Sequence, residues 1–395
     1  MIFDIILGCF LGFIFGLIPS LHINFISYLF LYFGLFLVFP DKFYFFLSLS
    51  ISQLITSYLP QTFFSVPNVE NIMNLFPLQR LFLKGEALKA IFITFVGSFF
   101  GAIFAILLLP FLYLLFSSLI GFHFFISFAI LFVLLSFVYY QENLKERIIV
   151  IFIILSSGLL GILTLKYNVF LKESLFVCVV GLFTLPLLFK SIFEKQTRVF
   201  QKINLKEIKL NLKKSMIFSF MGSLASMFII LVPSFSSSQA GTMVSRIKRN
   251  LSSEEYILLF SSISISALIF SYFLAMFFYK PRLGYFAILL LEKQIIPRTE
   301  IFFFIITVLL SVCLILFILK SIIKDIIVFI NKQNLTKINV FILIFSIVLV
   351  FLISGIKALP ILFLSAVIGY LPLHYKKSRV ILMAYIMIPT LLFYL

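Results

Sequence analysis

One short phrase is written twice in this chain, each time inside a long apolar run. Phe46 to Tyr58 reads FLSLSISQLITSY and Phe260 to Tyr272 reads FSSISISALIFSY, with nine of 13 positions identical. The copies lie 214 positions apart, and the same ungapped frame pairs Gly8 with Gly222, Pro19-Ser20 with Pro233-Ser234, and Pro67 with Pro281. A narrow alphabet makes chance matches between apolar stretches common, but three further anchors in the frame of the phrase mark a duplicated unit. Duplicated apolar units, each with a proline-interrupted segment at the matching place, are the pattern of secondary transporters, which bind solute where the broken helices of two repeats meet.

Composition sets the solvent. Hydrophobic residues make up 63% of 395 and charged residues 11%, with a mean hydropathy of +1.23, whereas a soluble domain carries about 25% charged residues. Many apolar runs approach or exceed the roughly 18 residues that cross a bilayer as a helix, and lipid accepts only helices or closed barrels. The expected fold class is all-α: a polytopic membrane protein of roughly 10–12 helices, in two repeats of inverted orientation, each with a Pro-broken, re-entrant helix. The first repeat is expected over residues 1–194 and the second over 215–395.

Between them, residues 195–214 form a basic linker; from Lys190 to Lys214 eight basic residues stand against Glu194 and Glu207. Lys and Arg in short loops mark the cytoplasmic side, so this linker is expected in the cytoplasm and the chain in the cell membrane, multi-pass. The net charge of +17 is scattered over such loops, which excludes a nucleic-acid partner. Lys280-Pro281-Arg282 and Lys376-Lys377-Ser378-Arg379 read as cytoplasmic anchors at the membrane surface. Cys9, Cys178 and Cys313 all fall inside apolar runs, without metal or disulfide spacing. The N-terminal run lacks a basic n-region and reads as a retained transmembrane segment.

Two constellations carry chemistry. Gly8, Gly12 and Gly16 share one helix face, which lets a neighbouring backbone approach closely. Pro19 then breaks the helix, and Ser20, His22 and Asn24 follow. In the second copy, Gly222 and Ser226 precede Pro233, followed by Ser234, Ser236, Ser237, Ser238 and Gln239. Two broken helices facing one another would aim freed amides, carbonyls and hydroxyls at one site, where helix N-termini favour an anion and carbonyls a cation. In the repeated phrase, Ser48 and Ser52 share a face opposite Ser50 and Ser57, and Ser262 and Ser266 repeat the pattern. A helix small on two sides is wedged between two neighbours.

No acid sits centrally in a confident apolar run, so no carboxylate proton relay is expected. The only cofactor-like group is a coupling Na+ or H+, the latter through His22. No His-Glu-x-x-His, Walker loop or nucleophile elbow occurs, so the chain is not expected to be an enzyme.

GCFLGFIFGLIPSLHIN (Gly8 to Asn24), SVPNVENIMNLFPLQRLFLKGEALKAIFITFVGS (Ser65 to Ser98), LVPSFSSSQA (Leu231 to Ala240), KPRLG (Lys280 to Gly284) and GIKALPILFLSAVIGYLP (Gly355 to Pro372) together resemble the large membrane subunit of the tripartite tricarboxylate transporters, and more closely that family's single-chain archaeal relatives. The resemblance implies an ion-coupled permease for a small organic anion such as a di- or tricarboxylate. Its site would be formed by Ser20, His22 and Asn24 with Ser234, Ser236 and Gln239. It also suggests a small membrane subunit and an extracytoplasmic binding protein as partners, which this chain's residues do not themselves reveal; they carry no signal for oligomeric state either. Ser20 and Ser234 stand where the family has glycine. The alternative reading is a polyprenyl-phosphate or other lipid translocase with paired re-entrant hairpins.

Overall fold

In a computed structural model of the chain, the described residues are 1–18, 26, 30, 41–64, 75–119, 123–166, 174–193, 199–203, 210–231, 251–278 and 300–394. No strand occurs among them. The helices are α1 (Ile2–Leu17), α2 (Lys42–Thr56), α3 (Tyr58–Phe64), α4 (Leu75–Leu83), α5 (Ala87–Leu119), α6 (His123–Tyr139), α7 (Leu144–Gly161), α8 (Ser174–Val179), α9 (Leu185–Phe193), α10 (Leu212–Leu231), α11 (Ser253–Phe278), α12 (Ile301–Lys332), α13 (Leu335–Ser354), α14 (Ala358–His374) and α15 (Ala384–Tyr394). One π-helical turn, Ile162–Lys166, extends α7. Another, Val180–Thr184, joins α8 to α9, and a 3-10 turn, Arg379–Met383, leads into α15.

Six stretches are long and apolar enough to cross a bilayer: Ala87–Ser118, Leu144–Leu165, Ser174–Phe193, Ser253–Phe278, Ile301–Lys332 and Thr336–Ser354. Ile2–Leu17, Ser127–Tyr139, Ala358–His374 and Arg379–Phe393 are shorter apolar helices. The chain is a multi-pass, all-α membrane protein.

The helix pattern repeats in the frame of the duplicated phrase. α5 and α12 begin at Ala87 and Ile301, and α7 and α14 at Leu144 and Ala358. Each pair is 214 positions apart, the interval that separates Gly8 from Gly222.

Two apolar bodies result. The larger is built on α1, α2, α5, α11 and α12. The smaller takes α6, α7, the α8–α9 rod, α14 and α15. Leu188 of α9 and Ile342 of α13 meet beside Phe64, joining the two. Within the larger body every residue of α2 is buried, and 94% of the apolar window of α11 is buried against 22% for α13. Thus α2 and α11 lie inside protein, while α13 faces outward.

Helix directions follow from the contacts. α1 and α2 are parallel: Gly8 rests on Phe45 and Ser48, Gly12 on Leu49 and Ser52, Gly16 on Gln53 and Thr56. The Met1 amino group lies by Asp4 at 2.9 Å and also pairs with Asp41, so both helices start at one level. α10, α5 and α11 are also mutually parallel. Lys89 pairs with Glu254 and Lys214 with Glu255 at their starts, and Gly97, Gly101 and Gly222 all rest on α11 further along.

α2 and α11, the two copies of one sequence, run antiparallel. Phe43 near the start of α2 packs on Tyr272 near the end of α11, with ring centroids 5.7 Å apart. Tyr58, just past α2, clusters with Ile257 and Leu258 near the start of α11. α5 and α12 are opposed as well. The Gln201 side chain accepts from the Ala87 amide at 3.0 Å, and the Gln201 backbone amide donates to Asn331 Oδ1 at 3.0 Å, which places the start of α5 beside the end of α12. Gln201 Nε2 also donates to the Phe82 carbonyl, and the Lys202 amide to that of Gly85. Gly85, at φ +77°, has the Phe200 carbonyl where a Cβ would point.

A side chain at Gly8 or Gly222 would strike the carbonyl of Phe45 or Leu259. Gly8→Leu and Gly222→Leu should each destabilise the protein by at least the 1–3 kcal/mol typical of overpacking, read as a lower melting temperature in detergent. An unchanged melting temperature in both would contradict the close approach.

Candidate functional site

In lipid, helix association relies on close packing and interhelical polar contacts rather than on the hydrophobic effect, and the two copies use both. Ser48 and Ser262 return their hydroxyls to the carbonyls of Phe45 and Leu259 at 2.8 Å each, which leaves them compact enough for Gly8 and Gly222 to lie against them. Such back-bonding lets a polar residue be buried without an external partner. Ser52 instead crosses to α1, donating to the Cys9 carbonyl at 2.6 Å. Its counterpart Ser266 shares a hydrogen with Ser223 at 2.8 Å and donates to the Gly101 carbonyl at 3.0 Å. Ser226, at the position matching Gly12, is buried and donates to the Ser223 carbonyl at 2.7 Å.

The copies meet at Tyr272. Its hydroxyl lies 2.6 Å from Ser50 Oγ and donates to the Phe46 carbonyl at 2.8 Å. This joins the face of α2 opposite Ser48 to α11. A hydroxyl network in an apolar crossing of this kind fixes register as well as contributing energy.

The symmetry fails at one place. Pro60 in α3 has no N–H to give the Thr56 carbonyl its usual helical partner, and the helix is interrupted by a turn at Ser57 between α2 and α3. Around this break Thr56 Oγ1 and Gln61 Oε1 are buried without a hydrogen-bond partner, while Gln61 Nε2 donates to Ser57 Oγ at 3.1 Å. Thr56 also lies against Gly16 near the end of α1, and a helix C-terminus carries the negative pole of the helix dipole. The matching positions on α11 are Phe270, Leu274 and Ala275, and α11 runs on unbroken. At these matching positions α11 therefore offers no side-chain oxygen.

Of the residues expected to form the site, Pro19, Ser20, His22, Asn24, Pro233, Ser234, Ser236, Ser237, Ser238 and Gln239 lie outside the described residues. Gly8, Gly12, Gly16, Gly222, Ser226, Ser48, Ser52, Ser262 and Ser266 sit at the helix contacts given above. Lys280, Pro281 and Arg282 also lie outside the described residues. Cys9 and Cys178 are buried and Cys313 is exposed on the flank of α12.

One expectation is corrected. Arg379 is not a surface anchor: it is 1% exposed, and its Nη2 donates to the Leu182 and Phe183 carbonyls at 3.0 and 2.6 Å. Lys377 does stay at the surface, 2.9 Å from both Glu146 and Gln141 Oε1. From there the chain runs along α7 until Tyr385 lies against Gly161, then α15 turns back so that Ile388 lies against Gly158. Tyr385 also meets Thr164 Oγ1 at 3.0 Å. The π turn that receives Arg379 leaves no mark in composition, and the neighbouring Lys376 and Lys377 disguise the arginine as a third surface charge. The one available signal was the uninterrupted apolar run that starts at Val380.

The helices define a polytopic membrane protein of two matching sets, with small-residue crossings in each, an architecture shared by many secondary transporters. The chain belongs to the tripartite tricarboxylate transporter TctA family, whose profile matches residues 2–384. It is 30% identical over 405 residues to the uncharacterized protein MJ1079 of Methanocaldococcus jannaschii, covering 99% of this chain and 98% of that protein. No solved structure matches it.

If the Tyr272 hydroxyl ties the copies together, Ser50→Ala and Tyr272→Phe should be non-additive. A double-mutant cycle on unfolding in mixed micelles should return a coupling of about 0.6–1.7 kcal/mol, the range for interhelical hydrogen bonds in membranes. Strict additivity would mean the contact contributes nothing.

Proposed function

We propose that this protein is an ion-gradient-coupled permease for a small organic anion, a di- or tricarboxylate, whose site forms where the two Pro-broken segments meet. Family membership supports the transport of tricarboxylates in general. The observation that carries the finer reading is the antiparallel pairing of α2 with α11 and of α5 with α12. Equivalent helices running in opposite directions are what an inverted repeat produces, and inverted repeats place solute sites at the repeat interface.

The repeats are taken as residues 1–194 and 215–395, joined by the basic linker. Pro19 and Pro233 fall just beyond α1 and α10 in the sequence. Ser20, His22, Asn24, Ser234, Ser236 and Gln239 are the residues assigned to the anion.

The coupling ion is assigned to the α2–α3 break. The acceptors there, Thr56 Oγ1 and Gln61 Oε1, are oxygens without a hydrogen-bond partner, and a hard cation such as Na+ takes oxygen ligands. The matching positions, Phe270 and Ala275, offer no side-chain oxygen, so the second repeat does not duplicate this site on α11. Removing an unsatisfied buried oxygen from a dry, empty site would be neutral or stabilising; removing it from an ion site weakens the ion.

The test is uptake of labelled citrate into proteoliposomes under an imposed sodium gradient. Wild-type protein should accumulate citrate only with sodium. Thr56→Val and Gln61→Leu should raise the sodium concentration needed at least tenfold, and Ser20→Ala should weaken citrate. Uptake that ignores sodium and follows a proton gradient would overturn the assignment of the ion; no carboxylate uptake under either gradient would overturn the permease reading.

The pairing also supports an assignment of sides. Lys202 and Asp41 belong to opposite ends of the helix sets, and the basic linker is placed in the cytoplasm. In a variant lacking the native cysteines, Asp41→Cys should react with an impermeant maleimide from outside intact cells, and Lys202→Cys only after lysis. Labelling of both from one side would refute the inverted arrangement.

A further inference from the structure

Arg379 poses a charge problem that its visible bonds do not solve. The side chain is 1% exposed, and Leu182 and Phe183, the residues it bonds, stand in the middle of the apolar stretch Ser174–Phe193. Both carbonyls belong to the π turn Val180–Thr184. A π turn shifts the hydrogen-bond register by one residue and is frequent at functional sites, so carbonyls free to accept from an outside donor are natural there. One NH2 group meets that need, and a neutral amide would serve as well.

The rest of the guanidinium is idle. Nε and Nη1 have no hydrogen-bond partner. The Phe183 ring, 5.6 Å from Cζ, offers only a weak face. Among the described residues no carboxylate pairs with Arg379, and Glu146 is taken by Lys377 at 2.9 Å. An arginine stays charged in proteins, and burying an ion unpaired costs several kcal/mol. Ionisable groups inside membrane proteins therefore mark ligand or ion sites unless a protein partner accounts for them.

We propose that Arg379 binds an oxyanion, a carboxylate or a phosphate ester, on its Nε and Nη1 donors, in a site on the smaller helix body. Arginine suits this chemistry because its planar fork offers several donors at fixed angles and is less strongly hydrated than an ammonium. The inference does not rest on the permease reading, since a lipid phosphate would satisfy the same donors as a soluble carboxylate.

The experiment compares purified wild type, Arg379→Lys, Arg379→Gln and the outer control Lys376→Gln in a neutral detergent. Each is titrated with citrate and, separately, with phosphatidylglycerol against phosphatidylcholine, and melting temperature is followed. Wild type should be stabilised by citrate or by phosphatidylglycerol but not by phosphatidylcholine. Apparent affinity should fall at least tenfold in Arg379→Lys, which keeps the charge and a donor for the π-turn carbonyls but loses the fork. The response should vanish in Arg379→Gln and persist in Lys376→Gln. A citrate response assigns the site to a soluble carboxylate and a phosphatidylglycerol response to a lipid phosphate. If Arg379→Gln does not fold, Arg379→Lys decides alone. A wild type indifferent to both oxyanions, or a response unchanged in Arg379→Lys, overturns the proposal. Citrate uptake is not part of the readout, so a failed permease reading leaves this test intact.

Discussion

The fold depends on backbones coming close together in lipid. Apolar side chains gain little by exchanging lipid for protein, so a membrane helix is held by packing and by polar contacts that need short range. Gly8, Gly12 and Gly16 present α1 to α2 with nothing between the backbones, and Gly97, Gly101 and Gly222 do the same for α11. Every further feature of the larger body follows from that proximity. Serines can be buried because their hydroxyls fold back on their own helix, and Ser52 can reach the Cys9 carbonyl only because α1 is so near. Tyr272 then finds Ser50 and the Phe46 carbonyl on the face that α1 leaves uncovered.

Duplication supplies the plan, and the departures from it supply the chemistry. The frame of 214 residues carries glycine to glycine and serine to serine at the crossings. It carries Thr56, Pro60 and Gln61 to Phe270, Leu274 and Ala275, and there one copy is interrupted beside unpartnered oxygens while the other runs on as a continuous helix. In the smaller body the position matching Arg379 is Leu165. The two sites assigned to ions thus sit where the copies disagree.

Much of this was legible in the sequence, because the signals were local or periodic. Length and hydropathy give membrane helices. The glycine spacing gives one helix face, and the alternating serines give a helix small on two sides, which α2 is. Direction was harder: the charges flanking a helix vote on its orientation only in aggregate. What shows α2 and α11 to be antiparallel is a pair of contacts between residues more than 190 positions apart. Arg379 was misplaced for a physical reason too. A basic residue beside two lysines ordinarily follows them to the surface, and only a pair of carbonyls left open by a π turn makes an inward path available. The polar residues that follow Pro19 and Pro233 were singled out from the sequence and lie outside the described residues, so their geometry is still to be set beside these helices.

Antiparallel copies of one sequence have an energetic corollary. A rotation that exchanges the halves also exchanges the two faces of the bilayer, so any conformation of the pair has a partner open to the other side with nearly the same internal energy. If every residue matched, the two would be degenerate and the protein would rest half in each. The free-energy difference between them is therefore written by the mismatched positions alone. A handful of residues, Thr56 against Phe270 and Gln61 against Ala275 among them, sets which way an empty carrier of this build would face.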